Sequence, residues 1–235
     1  MTVISLFEVV LCSGFPTQLV LSAVLVTIGM APAIGGQLAF RFVVALSLLD
    51  AALILCMVAF FLRTRGESVR DVLLRGQAGF WREVRHGLAL VPLIFLVVIV
   101  VGQTINYYAP NLHNVTDNPL QAMLTSPVRA AVFALVAVLA GGVREEVQRA
   151  FILHRFRHDL GGARLGLVIF SVAFGIGHAM QGYDAAIITG VLGLLWGIVY
   201  LRRGSMVAPM VSHSLFNLIE IALFQYASRS GLVGG

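Results

Sequence analysis

The chain has 235 residues, of which 59% are hydrophobic and only 11% are charged, and its mean hydropathy is +0.93. A soluble domain carries about 25% charged residues, so a water-soluble globule, a disordered chain and a coiled coil are all excluded. The class that fits is an all-α polytopic transmembrane helical bundle. Because one helical span needs about 20 apolar residues, this length predicts seven to eight spans.

The net charge of +5 arises from 16 basic residues, all of them arginine, against 11 acids. The arginines cluster between apolar runs, which predicts contact with the lipid bilayer and no nucleic-acid partner. Cys12 and Cys56 lie inside apolar runs without a Cys or His at metal-binding spacing, so neither a disulfide nor a cysteine metal site is expected. The N-terminus lacks the basic region of a cleaved signal peptide, and we expect it to be retained.

The apolar runs predict the spans in chain order. The polar segment 63–87 holds six arginines, and its residues Glu67–Leu74 predict a short amphipathic helix at the interface. The pair Gly35-Gly36 interrupts the first apolar run. The predicted spans cover about 17–34, 39–62, 88–108, 127–158, 164–181, 184–202 and 205–227, and an additional span is allowed through residues 1–14.

The arginine distribution predicts the orientation of these spans. The segments after the second, fourth and sixth spans carry arginine, whereas those after the third and fifth carry none. Because cytoplasmic loops are enriched in Lys and Arg, the segment 63–87 is predicted to be cytoplasmic and the segment 109–126 external. Residues 1–126 are thus predicted to form N-terminal transmembrane helices with a cytoplasmic Arg-rich loop. The predicted location is a cell membrane, specifically a prokaryotic cytoplasmic membrane.

Charged side chains also lie inside the predicted spans, where they are unfavourable and tend to mark function. The fourth span contains Arg144, Glu145, Glu146 and Arg149. Glu145 and Arg149 are one helical turn apart and are able to pair. A purely structural ion cluster is one interpretation, but two adjacent acids favour a reactive carboxylate, since stabilisation needs only one pair.

Three further polar residues lie in other spans. His178 is in the fifth span, and His213 and Asn217 are four residues apart on one face of the seventh. Distances along the helices predict that these groups meet Glu145 in a cavity at intermediate depth, open towards the cytoplasm. A carboxylate that accepts a proton from water, with imidazole and amide donors for an oxyanion, forms a hydrolytic set. Glu220 is predicted either to join this face or to lie near the outer interface, and the second is favoured.

These residues give the chain its resemblance to the CPBP family, which comprises the type II CAAX prenyl endopeptidases and the Abi-type bacterial membrane proteins. The resemblance covers about residues 127–226 and implies a CPBP-like catalytic helical core over 127–228. The family's three motifs appear in order on separate predicted spans, as Glu145-Glu146 with Arg149, Phe174 to His178, and His213 to Asn217.

The resemblance implies an intramembrane endopeptidase of the CAAX-protease-like glutamate peptidase type, which acts on a membrane-associated or lipidated protein substrate. Glu145 with His178 would activate water, and His213 with Asn217 would stabilise the oxyanion, without a cofactor. Arg149 and Phe174 would support the site. In the family pattern an Arg follows the first Glu by five residues.

Here Arg149 follows Glu145 by four residues, so the base is Glu145 or Glu146, and Glu145 is favoured. The alternative function is a non-catalytic membrane scaffold or a bacteriocin-immunity-type protein, which could fill the cavity with apolar side chains. A transporter is disfavoured because the chain has no internal repeat. A zinc enzyme is a further alternative, since two His and one Glu form a known zinc set, although the sequence has no HExxH motif.

Overall fold

The computed structural model of the protein describes residues 2–75 and 79–230 and is all-α, with 81% of the chain helical. Its helices are α1 (Thr2–Leu11), α2 (Phe15–Thr27), α3 (Phe40–Thr64), α4 (Val69–Leu73), α5 (Phe80–Tyr108), α6 (Pro127–Val136), α7 (Glu145–Asp159), α8 (Ala163–Ile176), α9 (Tyr183–Arg203) and α10 (Val207–Arg229). A π-helical segment, Ala137–Arg144, joins α6 to α7. An antiparallel hairpin of β1 (Ala33–Ile34) and β2 (Gln37–Leu38) follows α2.

Five helical segments of the described chain are long and apolar enough to cross a membrane: α3, α5, the continuous α6–α7 segment, α9 and α10. The pair α1 and α2, bent by 44°, counts as a sixth candidate. The predicted all-α architecture is therefore confirmed, but the predicted count of seven to eight spans is not. The predicted fifth span at 164–181 is α8, whose 14 residues give about 21 Å of helix, less than the roughly 30 Å hydrocarbon core.

The first predicted span, 17–34, is a short helix followed by a hairpin. Gly35 and Gly36 form the turn between β1 and β2 with φ angles of 59° and 82°. Two successive positive φ angles are what a type I′ hairpin turn requires, and glycine adopts them without a steric penalty. The glycine pair therefore reverses the chain. The additional span allowed through residues 1–14 is the ten-residue helix α1.

The polar segment predicted at 63–87 is shorter in the structure, because α5 begins at Phe80, well before the predicted start at about 88. Glu83 in the first turn of α5 is buried and pairs with Arg203 at 2.6 Å. Because this pair neutralises both charges, α5 can include the polar residues that precede its apolar run. Residues 76–78 of the predicted loop lie outside the described residues.

The predicted amphipathic helix Glu67–Leu74 corresponds to α4. Its N-cap is Ser68, whose hydroxyl accepts a hydrogen bond from the backbone N–H of Asp71. Val72 and Leu73 are buried in the main hydrophobic core, and the hydroxyl of Tyr200 donates to the carbonyl of Val72 at 2.7 Å. Because its apolar side faces the core, α4 packs against the bundle and does not lie free at the interface.

The segments that follow α3, α7 and α9 lie at one end of the bundle, which we call the Arg-rich end. Leu74 pairs with Ser205 in an isolated β-bridge, and Arg155 near the end of α7 pairs with Glu67 before α4 at 2.5 Å. These contacts join the segments in which sequence analysis found the arginine excess.

The segments that follow α5 and α8 meet at the opposite end, which we call the Arg-poor end. The side-chain amide of Asn118 donates to Gln181 at 3.2 Å, and His113 contacts Asp184 at 2.7 Å. The segregation of segments between the two ends is the alternation that the arginine pattern predicts. The assignment of the Arg-rich end to the cytoplasm stays a prediction.

Candidate active site

A π-helical segment lies in the middle of the α6–α7 span, directly before the glutamate pair. Two of its residues, Gly141 and Gly142, face α10 at close range. A Cβ atom at Gly141 would lie 2.5 Å from Nδ2 of Asn217, and a Cβ atom at Gly142 would overlap the side chain of Ser214. The absence of side chains here lets α10 approach the wide π turn, a local geometry that occurs frequently at functional sites.

The two adjacent carboxylates have different surroundings. Glu146 is buried, forms an ion pair with Arg149, and accepts a hydrogen bond from Nδ1 of His213 at 2.9 Å. Glu145 keeps 15% of its side chain exposed, and its Oε2 lies 3.7 Å from Nε2 of His213. That oxygen makes no hydrogen bond among the described residues. The pairing of Glu145 with Arg149 that sequence analysis considered is replaced by the pair of Glu146 with Arg149.

Arg149 is completely buried within a set of aromatic rings. Its guanidinium carbon lies 5.2 Å from the ring centre of Phe170, 5.0 Å from that of Phe174 and 5.6 Å from that of Trp196. Aromatic faces attract a cation, and the carboxylate of Glu146 neutralises it. Arg149 therefore fixes Glu146 in place, and Phe174 supports Arg149.

His213 is held by contacts on two sides. Its ring stacks on Trp196 with centroids 3.9 Å apart and an interplanar angle of 16°. Trp196 is itself fixed by a hydrogen bond from its indole N–H to the hydroxyl of Ser212 at 3.1 Å. Because Nδ1 of His213 donates to Glu146, the remaining ring nitrogen, Nε2, is the one near Glu145.

His178 and Asn217 come from two other helices. His178 follows the last turn of α8, and its Nδ1 donates to the carbonyl of Phe174 at 2.8 Å, so Nε2 has no part in that bond. Asn217 on α10 donates from Nδ2 to the carbonyl of Ala137 at 3.4 Å. This bond is near the upper limit of hydrogen-bond length, so the amide can be drawn to a stronger acceptor.

Four of the predicted site residues line one cavity of about 380 Å³, namely Glu145, His178, His213 and Asn217. Glu146, Arg149 and Phe174 lie behind this lining and hold it through the contacts described above. Glu220 also lines the cavity, so it joins the polar face of α10.

The cavity extends in the direction opposite to the one expected from the sequence. Its lining includes Asn118, Gln121 and Gln181 from the Arg-poor end. The sequence predicted both a cytoplasmic Arg-rich end and a cavity open towards the cytoplasm, and these two predictions are incompatible. The wrong expectation is that the cavity opens at the Arg-rich end. It arises because the depths of the polar residues were counted only from the Arg-rich turns.

Trp196, which stacks on His213 and contacts Arg149, is not among the site residues predicted from the sequence. The residue lies within an apolar run of α9, so nothing in its neighbours distinguishes it from a lipid-facing side chain. Only the tertiary arrangement of α9 against α10 shows that it supports the site. Among residues 2–75 and 79–230, no group of three His, Cys, Asp or Glu side chains has a metal-binding arrangement.

The fold and the site together define an all-α protein with membrane-spanning helices and a cavity whose lining includes two glutamates, two histidines and an asparagine. Residues 127–219 match the family model described as Type II CAAX prenyl endopeptidase Rce1-like. The match supports a CPBP/CAAX protease family assignment for this part of the chain and confirms the resemblance predicted from the three motifs. This is a family of proteases, which supports a hydrolase. No curated protein and no solved structure matched the chain.

Proposed function

We propose that the protein is an intramembrane endopeptidase that hydrolyses a peptide bond of a membrane-associated or lipidated protein by means of a glutamate-activated water. The observation that carries this proposal is the carboxylate of Glu145, which has an oxygen without a hydrogen-bond partner among the described residues and shares a cavity with two histidines and an asparagine. A scaffold protein has no need of a cavity lined by these groups, which disfavours the alternative function.

Glu145 is the proposed general base. Its side chain is 15% exposed and lines the cavity, where a water molecule can hydrogen-bond to it. Glu145 takes a proton from this water as the oxygen attacks the peptide carbonyl, and it then transfers the proton to the leaving amine. His178 lines the same cavity and orients the water through Nε2.

His213 and Asn217 are the proposed oxyanion donors. Asn217 donates from its amide, and His213 acts through Nε2, because Nδ1 is held by Glu146. Donors that are already oriented stabilise developing charge without reorganising in the transition state. Glu146 and Arg149 are proposed as positioning residues that hold the imidazole of His213.

The remaining assignments are part of the same proposal. Residues 127–228 form the catalytic core, and residues 1–126 form supporting transmembrane helices with a cytoplasmic Arg-rich loop. The proposed location is a prokaryotic cytoplasmic membrane, with a protein or peptide substrate at the bilayer. Since the cavity extends to the Arg-poor end, substrates enter from the external side when the Arg-rich end is cytoplasmic.

The orientation is tested with single cysteines at Ser68 and Asn114, in a variant whose Cys12 and Cys56 are replaced by alanine. A membrane-impermeant thiol reagent applied to intact cells should label position 114 and not position 68. Labelling of position 68 alone would show that the orientation is the reverse of the proposed one, with the cavity entrance on the cytoplasmic side. Labelling of both positions would contradict the fold.

The activity is tested with purified protein in detergent and fluorogenic peptides that have apolar tails, both farnesylated and unmodified. We expect cleavage by the wild type that a chelator leaves intact, and a loss of about 10²–10⁴ in rate for Glu145→Gln. A folded Glu145→Gln variant with wild-type activity would remove this residue from the mechanism. Activity abolished by chelator and restored by zinc would instead support a metallopeptidase.

A further inference from the structure

A second acid, Glu220, lies in the wall of the same cavity and has no part in the proposed chemistry. It is half-buried on α10, and among the described residues it makes no hydrogen bond and no ion pair. Among the described residues that line the cavity there is no arginine. An ionisable group within a membrane span is costly to maintain without a partner, and such groups tend to mark a functional path.

Glu220 differs in this respect from the acids buried elsewhere in the bundle. Asp50 pairs with Arg144, and Glu83 pairs with Arg203. Glu8 likewise contacts two arginines. Each of these acids has its counter-ion within the protein, whereas the carboxylate of Glu220 faces a space that a ligand is able to enter.

The position of Glu220 relative to the candidate active site defines a distance. It follows His213 by seven positions on the same helix, which corresponds to about 10 Å along the axis. The helix runs from the Arg-rich to the Arg-poor end, so Glu220 lies on the entrance side of His213. An extended peptide advances about 3.3 Å per residue, so 10 Å corresponds to about three residues.

We propose that Glu220 is a specificity-determining residue that selects substrates with a cationic side chain, Lys or Arg, about three residues from the scissile bond. The inference rests on the proposed function, because the scissile bond is placed at Glu145 and His213. Inside a largely apolar cavity a cation paired with Glu220 forms a charge-assisted hydrogen bond, which is stronger than a bond between neutral groups. A substrate with an acidic residue at that position would be rejected by like charge.

The test uses peptides that are cleaved by the wild type and that differ only in having Lys, Gln or Glu three residues to either side of the scissile bond. Wild-type kcat/KM should favour the Lys peptide over the Glu peptide by about tenfold or more on one side of the bond. Glu220→Gln should remove this preference and leave cleavage of the Gln peptide within about twofold, and Glu220→Lys should reverse it.

Asp117→Asn is the matched control, since Asp117 is an exposed acid of the Arg-poor end that does not line the cavity. This variant should keep the preference for the Lys peptide. If Asp117→Asn and Glu220→Gln lose the preference equally, general surface charge explains it and the assignment to Glu220 is overturned. Cleavage without any charge preference would also overturn it.

Peptide binding is measured in parallel by fluorescence anisotropy with the Lys and Glu peptides. Selective binding of the Lys peptide that depends on Glu220, but without hydrolysis, would contradict the proposed function and support charge selection. Equal binding of both peptides by the wild type would overturn charge selection whether or not the peptides are cleaved.

Discussion

The Arg-rich end and the cavity both bury charged groups, but they neutralise them in different ways. At the Arg-rich end, Arg155 contacts Glu8 and Glu67 at 2.5 Å, and Arg65 contacts Glu8 and Asp159 at 2.9 Å. Every carboxylate in this network has at least one arginine. In the cavity, Glu145 and Glu220 have no arginine at hydrogen-bond distance within the described part of the chain, although Glu145 lies 3.8 Å from Arg144.

The difference separates charges that hold helices together from charges that are available to a substrate. The network at the Arg-rich end joins α1, α7 and the segment after α3, so its loss should lower stability. The carboxylate of Glu145 shares the cavity with two histidines and is the proposed general base, so its loss should lower activity. Glu146 and Arg149 lie next to the cavity, but they form an ion pair, as the charged residues of the Arg-rich end do. Their variants therefore test most directly whether pairing or proximity to the cavity decides the effect.

The largest expected effect on stability is that of Arg149→Met. Removing one member of a buried ion pair leaves Glu146 without its counter-ion, and such changes typically lower the free energy of unfolding by about 3–5 kcal/mol. Arg155→Met is the control and should destabilise less, since Glu8 keeps a second arginine, Arg65, and Glu67 is partly exposed to water. Glu146, in contrast, is fully buried and keeps only a histidine contact. Thermal unfolding in detergent measures both. An equal loss of stability in the two variants would show that the buried pair of Arg149 with Glu146 contributes no more than the ion pairs at the Arg-rich end.

His213→Ala should lower activity by about 10²–10³, because it removes the proposed oxyanion donor. The matched control is His154→Ala at the Arg-rich end, whose ring also contacts a glutamate, Glu67, at 2.9 Å. His154→Ala should leave the rate per folded molecule unchanged. Steady-state cleavage, normalised to the folded fraction, measures both variants. A similar loss of rate in the two would indicate that disruption of the fold, and not chemistry, explains the effect of His213→Ala.

Gly142→Ala should destabilise the protein by about 1–3 kcal/mol, because the added methyl group overpacks the contact between the π-helical segment and Ser214. It should also lower activity, since α10 carries His213 and Asn217. Gly102→Ala is the control, since its methyl group would meet only Ile188 at 3.7 Å, an ordinary contact. Unfolding midpoints distinguish them. An unchanged Gly142→Ala variant would show that the close helix approach is unnecessary.

The smallest expected effect is the pH dependence at Glu67 of the Arg-rich end. Burial alone would raise its pKa, but hydrogen bonds from His154 and Arg155 outweigh this and lower the pKa below the usual 4.5. The stabilisation is therefore complete above pH 4.5 and is lost as the pH falls through the lower folded-state pKa.

Glu67 is partly exposed, so the contribution is about 1 kcal/mol or less. Unfolding midpoints of Glu67→Gln should fall less steeply than those of the wild type below pH 4.5. Asp71→Asn, an exposed acid on α4, serves as the control and should follow the wild type more closely. Parallel curves for Glu67→Gln and wild type would contradict the lowered pKa.

The sequence predicts the helices that carry the site with an accuracy of a few residues. The spans expected at 127–158, 184–202 and 205–227 correspond to Pro127–Asp159, Tyr183–Arg203 and Val207–Arg229. Long apolar runs that end in arginines or in Pro127 leave little freedom in where a membrane helix begins and ends. The convergence of Glu145 with the histidines was also predicted, because each polar group on an apolar helix needs a partner.

The remaining features depend on contacts that the sequence does not encode locally. Gly141 and Gly142 are compatible with an ordinary helix, and the π turn becomes visible only where α10 packs against them. Arg149 is able to reach either glutamate from helical spacing alone, and the ring of His213 decides the choice by contacting Glu146. The pair Gly35-Gly36 interrupts the first apolar run, but the uncharged residues around it are typical of a membrane span. The sequence therefore does not predict the hairpin.

The most direct test of the account compares Glu145→Gln with Glu146→Gln in the same preparation, by cleavage rate per folded molecule and by unfolding midpoint. Glu145→Gln should lose about 10²–10⁴ in rate with little change in the midpoint, because its carboxylate is the proposed base and has no hydrogen-bonded ion pair among the described residues. Glu146→Gln should lower the midpoint and keep more of the activity, because its carboxylate holds Arg149 and His213. The opposite pattern, with activity lost at Glu146 and stability lost at Glu145, would contradict the account.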